Sequence, residues 1–129
     1  MIVLGDIPRK HARLYPQREC MVCGDIRLTW KQLNERVNRL AHGLAGLAVV
    51  KDTKAAVLAL NCHKYIEIYY AASKLGAVTV PLNFRLSPDE LVYVINHSDA
   101  EVLLAGPEFI TLIEEILPRL ERIEKRISL

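Results

Sequence analysis

Two kinds of apolar spacing divide this chain. Trp30, Leu33, Val37, Leu40, Ala41 and Leu44 recur every three or four residues, with Lys31, Glu35, Arg36 and Arg39 between them. That period predicts an amphipathic helix with one packed face and one wet face. Residues 55–60 are instead a continuous apolar run ended by Asn61, the pattern of a strand buried on both faces in a parallel sheet. Residues 63–75 are apolar nearly all round and predict the most buried helix, with Asn61 placed to cap it. A second buried strand is expected over 77–82 and a third, shorter one over 101–105. Phe109, Leu112, Ile113, Ile116 and Leu117 mark a further helix that Pro118 ends or kinks, and Leu120, Ile123 and Ile127 carry an apolar stripe onward.

Polar residues punctuate these runs. Thr29 and Gln32 form a capping-box pattern at the start of the amphipathic helix, and Gly43 and Gly46 loosen its end. Lys51-Asp52-Thr53 supplies the turn out, and Gly76 ends the buried helix. Ser87-Pro88-Asp89-Glu90 offers a cap, a proline at the first helical position and two acids in the first turn, opening a helix that ends near Ser98. Upstream, Glu19–Cys23 and Ile26–Thr29 read as short strands around a Gly24-Asp25 hairpin corner. Residues 7–15 allow a turn or two of basic amphipathic helix. The expected fold is therefore α/β: a βαβαβ parallel sheet segment with flanking helices and right-handed crossovers, preceded by a short β-hairpin and an amphipathic helix.

Composition narrows the function classes. With 129 residues, 51% hydrophobic and 25% charged, the chain has material for a core but is too short for a complete multi-step synthetase. Seventeen basic residues against 15 acidic give a formal charge of +2, without the one-signed patch of a nucleic-acid binder. The longest apolar run, 40–50, is broken by His42 and two glycines and falls short of the ~18 residues of a membrane span. The amino terminus turns polar at Gly5-Asp6 and lacks the pattern of a secretory signal. Three cysteines, an odd number beside an ample core, suit a reducing compartment, and a cytoplasmic protein is expected.

The glycines at 5, 24, 43, 46, 76 and 106 are never clustered, so neither a dinucleotide fingerprint nor a P-loop is present. The buried runs end in Asn61, Asn83 and Gly106 rather than in aspartates, against a phospho-acceptor site. Cys20-x-x-Cys23 has zinc or redox spacing, with Cys62-His63 as a conceivable second pair. Its extended setting before a Gly-Asp turn favours two ordinary thiols. His11, His42 and His97 are isolated, Tyr65, Tyr69 and Tyr70 read as packing before they read as a pocket wall, and Gly43-x-x-Gly46 reads as helix termination. Arg85 differs, because it lies just beyond a predicted parallel strand, at the edge where α/β sheets gather ligands, and its fork suits phosphate. The competing reading is a surface ion pair with Asp89 or Glu90.

In order along the chain, Leu28-Thr29-Trp30-Lys31-Gln32-Leu33, Arg36-Val37-Asn38-Arg39-Leu40-Ala41, Ala56-Val57-Leu58-Ala59-Leu60-Asn61, Leu75-Gly76-Ala77-Val78, Val80-Pro81-Leu82-Asn83, Arg85-Leu86-Ser87-Pro88-Asp89-Glu90-Leu91 and Asn96-His97-Ser98-Asp99-Ala100 follow one another. Together they resemble the amino-terminal segment of acyl-CoA synthetases of the adenylate-forming, AMP-binding superfamily, from about Pro16 onward. The resemblance implies that 1–129 is a partial N-terminal subdomain of an AMP-binding domain. It also implies a parent acid–CoA ligase that uses ATP, Mg2+ and coenzyme A to convert a fatty or aromatic carboxylic acid to acyl-AMP and then to the CoA thioester. The family's Ser/Thr/Gly-rich phosphate loop with its lysine, its aromatic-threonine-glutamate element, its ribose-binding aspartate and its mobile domain with the catalytic lysine are expected beyond Leu129. No catalytic or metal-ligating residue is therefore assigned here, no cofactor is expected to bind this chain tightly, and the chain alone is expected to be inactive. Arg85, in Asn83-Phe84-Arg85, matches an arginine that contacts the 3′-phosphate region of coenzyme A in some of these ligases. The family's Lys-Gly-Asp turn is departed from at Val50-Lys51-Asp52-Thr53, which lacks the glycine.

Partners follow from the same reading. The remainder of the ligase should cover the open sheet, whose next strand is expected to start near Leu129. An isolated piece should form a homodimer or domain swap through 107–117 or the Ile127 end. The alternative is a free-standing, non-catalytic binding or assembly module derived from the same subdomain.

Overall fold

The structure, a computed structural model, describes residues 2–129. They form two compact units, residues 2–51 with 62–77 and residues 52–61 with 78–129.

The first unit contains helix α1 (Asp6–Leu14), strands β1 (Glu19–Cys23) and β2 (Ile26–Thr29), and helices α2 (Trp30–Gly46) and α3 (His63–Leu75). The hairpin falls where expected, pairing Val22 with Arg27 and Cys23 with Ile26, and Gly24 takes φ +57 at the first corner position. The capping box opening α2 is complete: Gln32 N donates to Thr29 Oγ1 at 3.3 Å and Thr29 N to Gln32 Oε1 at 2.9 Å. Leu33, Val37, Ala41 and Leu44 are its buried stripe. The helix ends at Gly46, as the two glycines suggest, with Leu47 as its C-cap; Ala48 takes the left-handed turn (φ 62) while Val49, buried behind it, donates to Leu44 O. Burial of Val49 fixes the exit, and alanine is small enough to take a conformation glycine would take more cheaply.

In α3, Lys64 and Ile66 are exposed and His63, Glu67, Ile68, Ala71 and Ala72 are buried. Its N-cap is Cys62, without a side-chain bond, rather than Asn61. The helix starts one residue later than an Asn61 cap requires, with Tyr65 N bonded to Cys62 O. Glu67 is buried beside Arg36 of α2 and pairs with it at 2.5 Å, and Lys74 Nζ donates to Asn34 and Asn38 Oδ1. Gly76 closes the helix at φ +70. Gly5 N donates to Ser73 Oγ at 2.9 Å, tying the start of α1 to α3.

The second unit is a four-stranded parallel sheet in the order β4-β3-β5-β6, built from β3 (Lys54–Leu58), β4 (Val78–Pro81), β5 (Val102–Ala105) and β6 (Lys125–Ser128). Helices α4 (Pro88–His97) and α5 (Ile110–Ile116) contribute Leu91, Val92, Ile95, Ile113 and Ile116 to one core with Ala56, Leu58 and Leu103. Two expectations need correction. Residues 77–82 do not make a second fully buried strand: β4 is an edge strand with Val78 44% exposed, a position that tolerates Pro81, which has no N–H to donate. Nor does the next strand begin near Leu129. β6 already pairs Leu104 with Ile127, and Glu124 N bonds to Glu101 O ahead of it. Lys125-Arg126-Ile127-Ser128 carries one apolar side chain, so its pattern gives no strand signal and its partner supplies the structure.

Candidate functional site

Three strands of the second unit leave the sheet at one edge. Leu82 N bonds to Val57 O at 2.9 Å, Gly106 N to Leu58 O at 2.8 Å and Leu129 N to Ala105 O at 3.0 Å, so the ladder runs one residue past β4, β5 and β6. The chain continues from β3 to β4 on one side and from β5 to β6 on the other. The C-terminal ends of β3 and β5 therefore flank the topological switch point of this sheet. Gly106 lies there against Ala59, where an added Cβ would come within 3.6 Å of Ala59 Cα.

Beside it stands the loop after β4. Asn83 shapes this loop by accepting from Arg85 N on its side-chain oxygen at 3.0 Å and from Leu86 N on its carbonyl at 3.1 Å. Leu86 is anchored on the core, and Ser87 opens α4 with a full capping box, Glu90 N to Ser87 Oγ at 3.3 Å and Ser87 N to Glu90 Oε2 at 2.8 Å. The two carboxylates nearest Arg85 along the chain are committed elsewhere. Glu90 caps the helix, and Asp89 pairs with Arg119 at 2.7 Å. The Arg85 guanidinium instead lies over the Phe84 ring, 5.7 Å from its centroid, and that ring meets Phe109 at 6.0 Å and 40°. An exposed arginine on an aromatic support, next to a strand end, has the fork geometry that suits a phosphate or carboxylate.

The other candidates do not converge on it. Cys20 and Cys23 lie on β1 as free, half-buried thiols, and Cys62 is also free. Burial pushes the Cys20 thiol up, partly opposed by its backbone hydrogen bond, with Glu19 adding to the rise. Among the described residues, no three His, Cys, Asp or Glu side chains come together to hold a metal. His11 stacks on Trp30 at 4.4 Å, His97 on Tyr93 at 5.4 Å, and His42 is exposed. Tyr65 stacks on Tyr69 at 5.5 Å, each half-buried, and Tyr70 is half-buried as well. His63 is buried with Nδ1 lacking a hydrogen-bond partner. The sequence reading overlooked Phe84 and Phe109, whose residue types alone do not announce a support for a cation. Among the described residues, no helix is long and apolar enough to cross a membrane.

The architecture matches part of a larger domain of known structure. It superposes on an inhibitor-bound crystal structure of the N-terminal domain of FACL13 from Mycobacterium tuberculosis with a TM-score of 0.94 and 29% identity, covering 100% of this chain and 34% of that one. The profile of the AMP-binding enzyme family matches residues 8–129, and the chain belongs to that family, corresponding to the N-terminal portion of its acyl-CoA ligases. A feruloyl-CoA synthase from an Amycolatopsis species is 40% identical over 105 residues, 81% of this chain and 21% of that enzyme. A long-chain-fatty-acid–CoA ligase from Thermus thermophilus is 33% identical over 125 residues, 94% of this chain and 23% of that enzyme. The chain thus spans less than a quarter of the length of these two relatives.

Proposed function

We propose that this chain is the amino-terminal portion of an ATP- and Mg2+-dependent acid–CoA ligase acting on a fatty or aromatic acid, and that Arg85 binds a phosphate of coenzyme A in that enzyme. The observation that carries the reading is the Arg85 guanidinium itself, just past a parallel strand, with Asp89 and Glu90 both engaged by other groups. The 3′-phosphate of coenzyme A is a compact anion whose paired oxygens match the guanidinium fork. The isolated glycines offer no cradle for a triphosphate. Holding ATP and its metal, and the adenylation and thioester steps, therefore fall to the remainder of the ligase, and the chain by itself is inactive in this reading. The three free cysteines support a reducing, cytoplasmic setting.

The test is Arg85→Gln in the ligase that contains this segment. A charge-assisted hydrogen bond to phosphate contributes about 1.5–3 kcal/mol, so KM for coenzyme A should rise at least about tenfold. KM for ATP should stay put, and 3′-dephospho-coenzyme A should be used equally well by both proteins. An equal loss with coenzyme A and its dephosphorylated form would overturn the assignment.

A further inference from the structure

We propose that Phe84 and Phe109 are positioning residues for Arg85, holding its guanidinium as a preset cation. The inference rests on the reading of Arg85 as the coenzyme A contact and adds a device that makes the contact selective.

A long side chain on a surface loop samples many rotamers, and each must be given up when a phosphate arrives. Three features of this loop remove that freedom beforehand. Asn83 fixes the backbone on both sides of Arg85, through Arg85 N and Leu86 N. Leu86 is seated on the core, so the loop cannot swing as a flap. The guanidinium then lies over the Phe84 ring, 5.7 Å from its centroid, a contact that restrains the side chain while it stays exposed. Phe84 is 41% exposed, so its ring presents a face on which the arginine can lie.

Phe109 completes the support. It belongs to the short turn Pro107–Phe109 that follows β5, packs on the core cluster and leans on Phe84 at 6.0 Å. The two loops flanking β3 are thereby braced against each other at the sheet edge. The electrostatic side is arranged to match. Arg119 holds Asp89 and the Ser87 amide holds Glu90, so neither carboxylate collapses onto Arg85 and competes with an incoming anion. The pairing works as a division of labour in which one arginine absorbs a carboxylate so that another stays available.

The test uses the ligase containing this segment, with coenzyme A and 3′-dephospho-coenzyme A compared in Arg85→Gln, Phe84→Leu, Phe84→Trp and Phe109→Leu. Phe84→Leu keeps the charge and loses the face, so KM for coenzyme A should rise about threefold, with kcat and KM for ATP unchanged and the preference for the phosphorylated thiol narrowed. Phe84→Trp, which keeps an aromatic face, should restore the preference, and Phe109→Leu should act in the same direction as Phe84→Leu. If Arg85→Gln removes the preference but Phe84→Leu keeps it whole, the positioning role falls and the Arg85 reading stands. A Phe84→Leu defect that lowers kcat and weakens ATP equally, unrelieved by tryptophan, would also overturn the proposal. If Arg85→Gln leaves the preference intact, the reading beneath it falls.

Discussion

At the scale of single residues, what surrounds a side chain decides what it can do. Arg85 and Arg36 are both arginines on one chain, yet Arg36 is tied to the buried Glu67 carboxylate, whose hydrogen bond holds the guanidinium above its usual range, while Arg85 faces outward over a ring. The first is spent on an internal pair, and the second is exposed. Tyr70 shows burial acting on an ionisable group: burial pushes its hydroxyl up, and Cys20 nearby adds to the rise. Below the ordinary tyrosine range both folded and unfolded states keep the proton. Above it the unfolded chain releases its proton first, so folding stability falls as pH climbs. Tyr70→Phe should flatten that alkaline limb between about pH 9 and 11 in thermal unfolding, and an unchanged limb would contradict the argument. How much of the candidate site was legible follows the same logic. Arg85 could be picked out because strand and position are local signals, but Phe109 lies 24 residues further along, and its meeting with Phe84 is a product of the sheet order.

Secondary elements were readable where their signals sit within a few residues. Both capping boxes join groups three residues apart; the one at Thr29 formed with the expected Gln32, and Ser87, expected as a cap ahead of two first-turn acids, takes Glu90 as its partner. Boundaries set by distant neighbours were not readable in this way. The apolar run 55–60 predicts a longer strand than β3, which stops at Leu58 opposite Ala105, where its pairing with β5 ends. The turn lacking the family's glycine is made with Asp52 at φ 68, a conformation that aspartate tolerates through local hydrogen bonding. The tie between α1 and α3 is an element-scale contact with a sharp steric demand. A Cβ on Gly5 would stand 2.7 Å from Lys74 N and 2.7 Å from Lys74 Cγ. Backbone cannot yield as a flexible side-chain end does, so Gly5→Ala should destabilise the fold by about 1–3 kcal/mol. Hydrogen exchange should show α1 protection falling first, and unaltered α1 protection would show that the helix end simply shifts.

At the scale of the whole molecule, the outer edge of β6 is the feature that calls for a partner. It pairs with β5 on one side, and no strand of the described residues follows it in the sheet order. Lys125 and Arg126 blunt that edge with charge, which slows association without satisfying the backbone groups. The 129-residue chain on its own should therefore self-associate, as a dimer or strand swap. Light scattering should give a mass that grows with concentration, more readily in high salt, where the lysine and arginine are screened. A monomer mass at every concentration and salt would overturn this.

Apolar spacings together with caps and turn residues were enough to indicate the class of the elements up to α5, the α/β architecture and, through ordered motifs, the family, because helix period, strand burial and caps are short-range constraints. Tertiary structure alone decided that β4 is an edge, that Lys125–Ser128 is a strand, that Phe84 meets Phe109, and that Asp89 pairs with Arg119 rather than with Arg85. Those outcomes depend on which residues distant in the chain become neighbours, and strand order sets that through hydrogen bonds that no local spacing encodes.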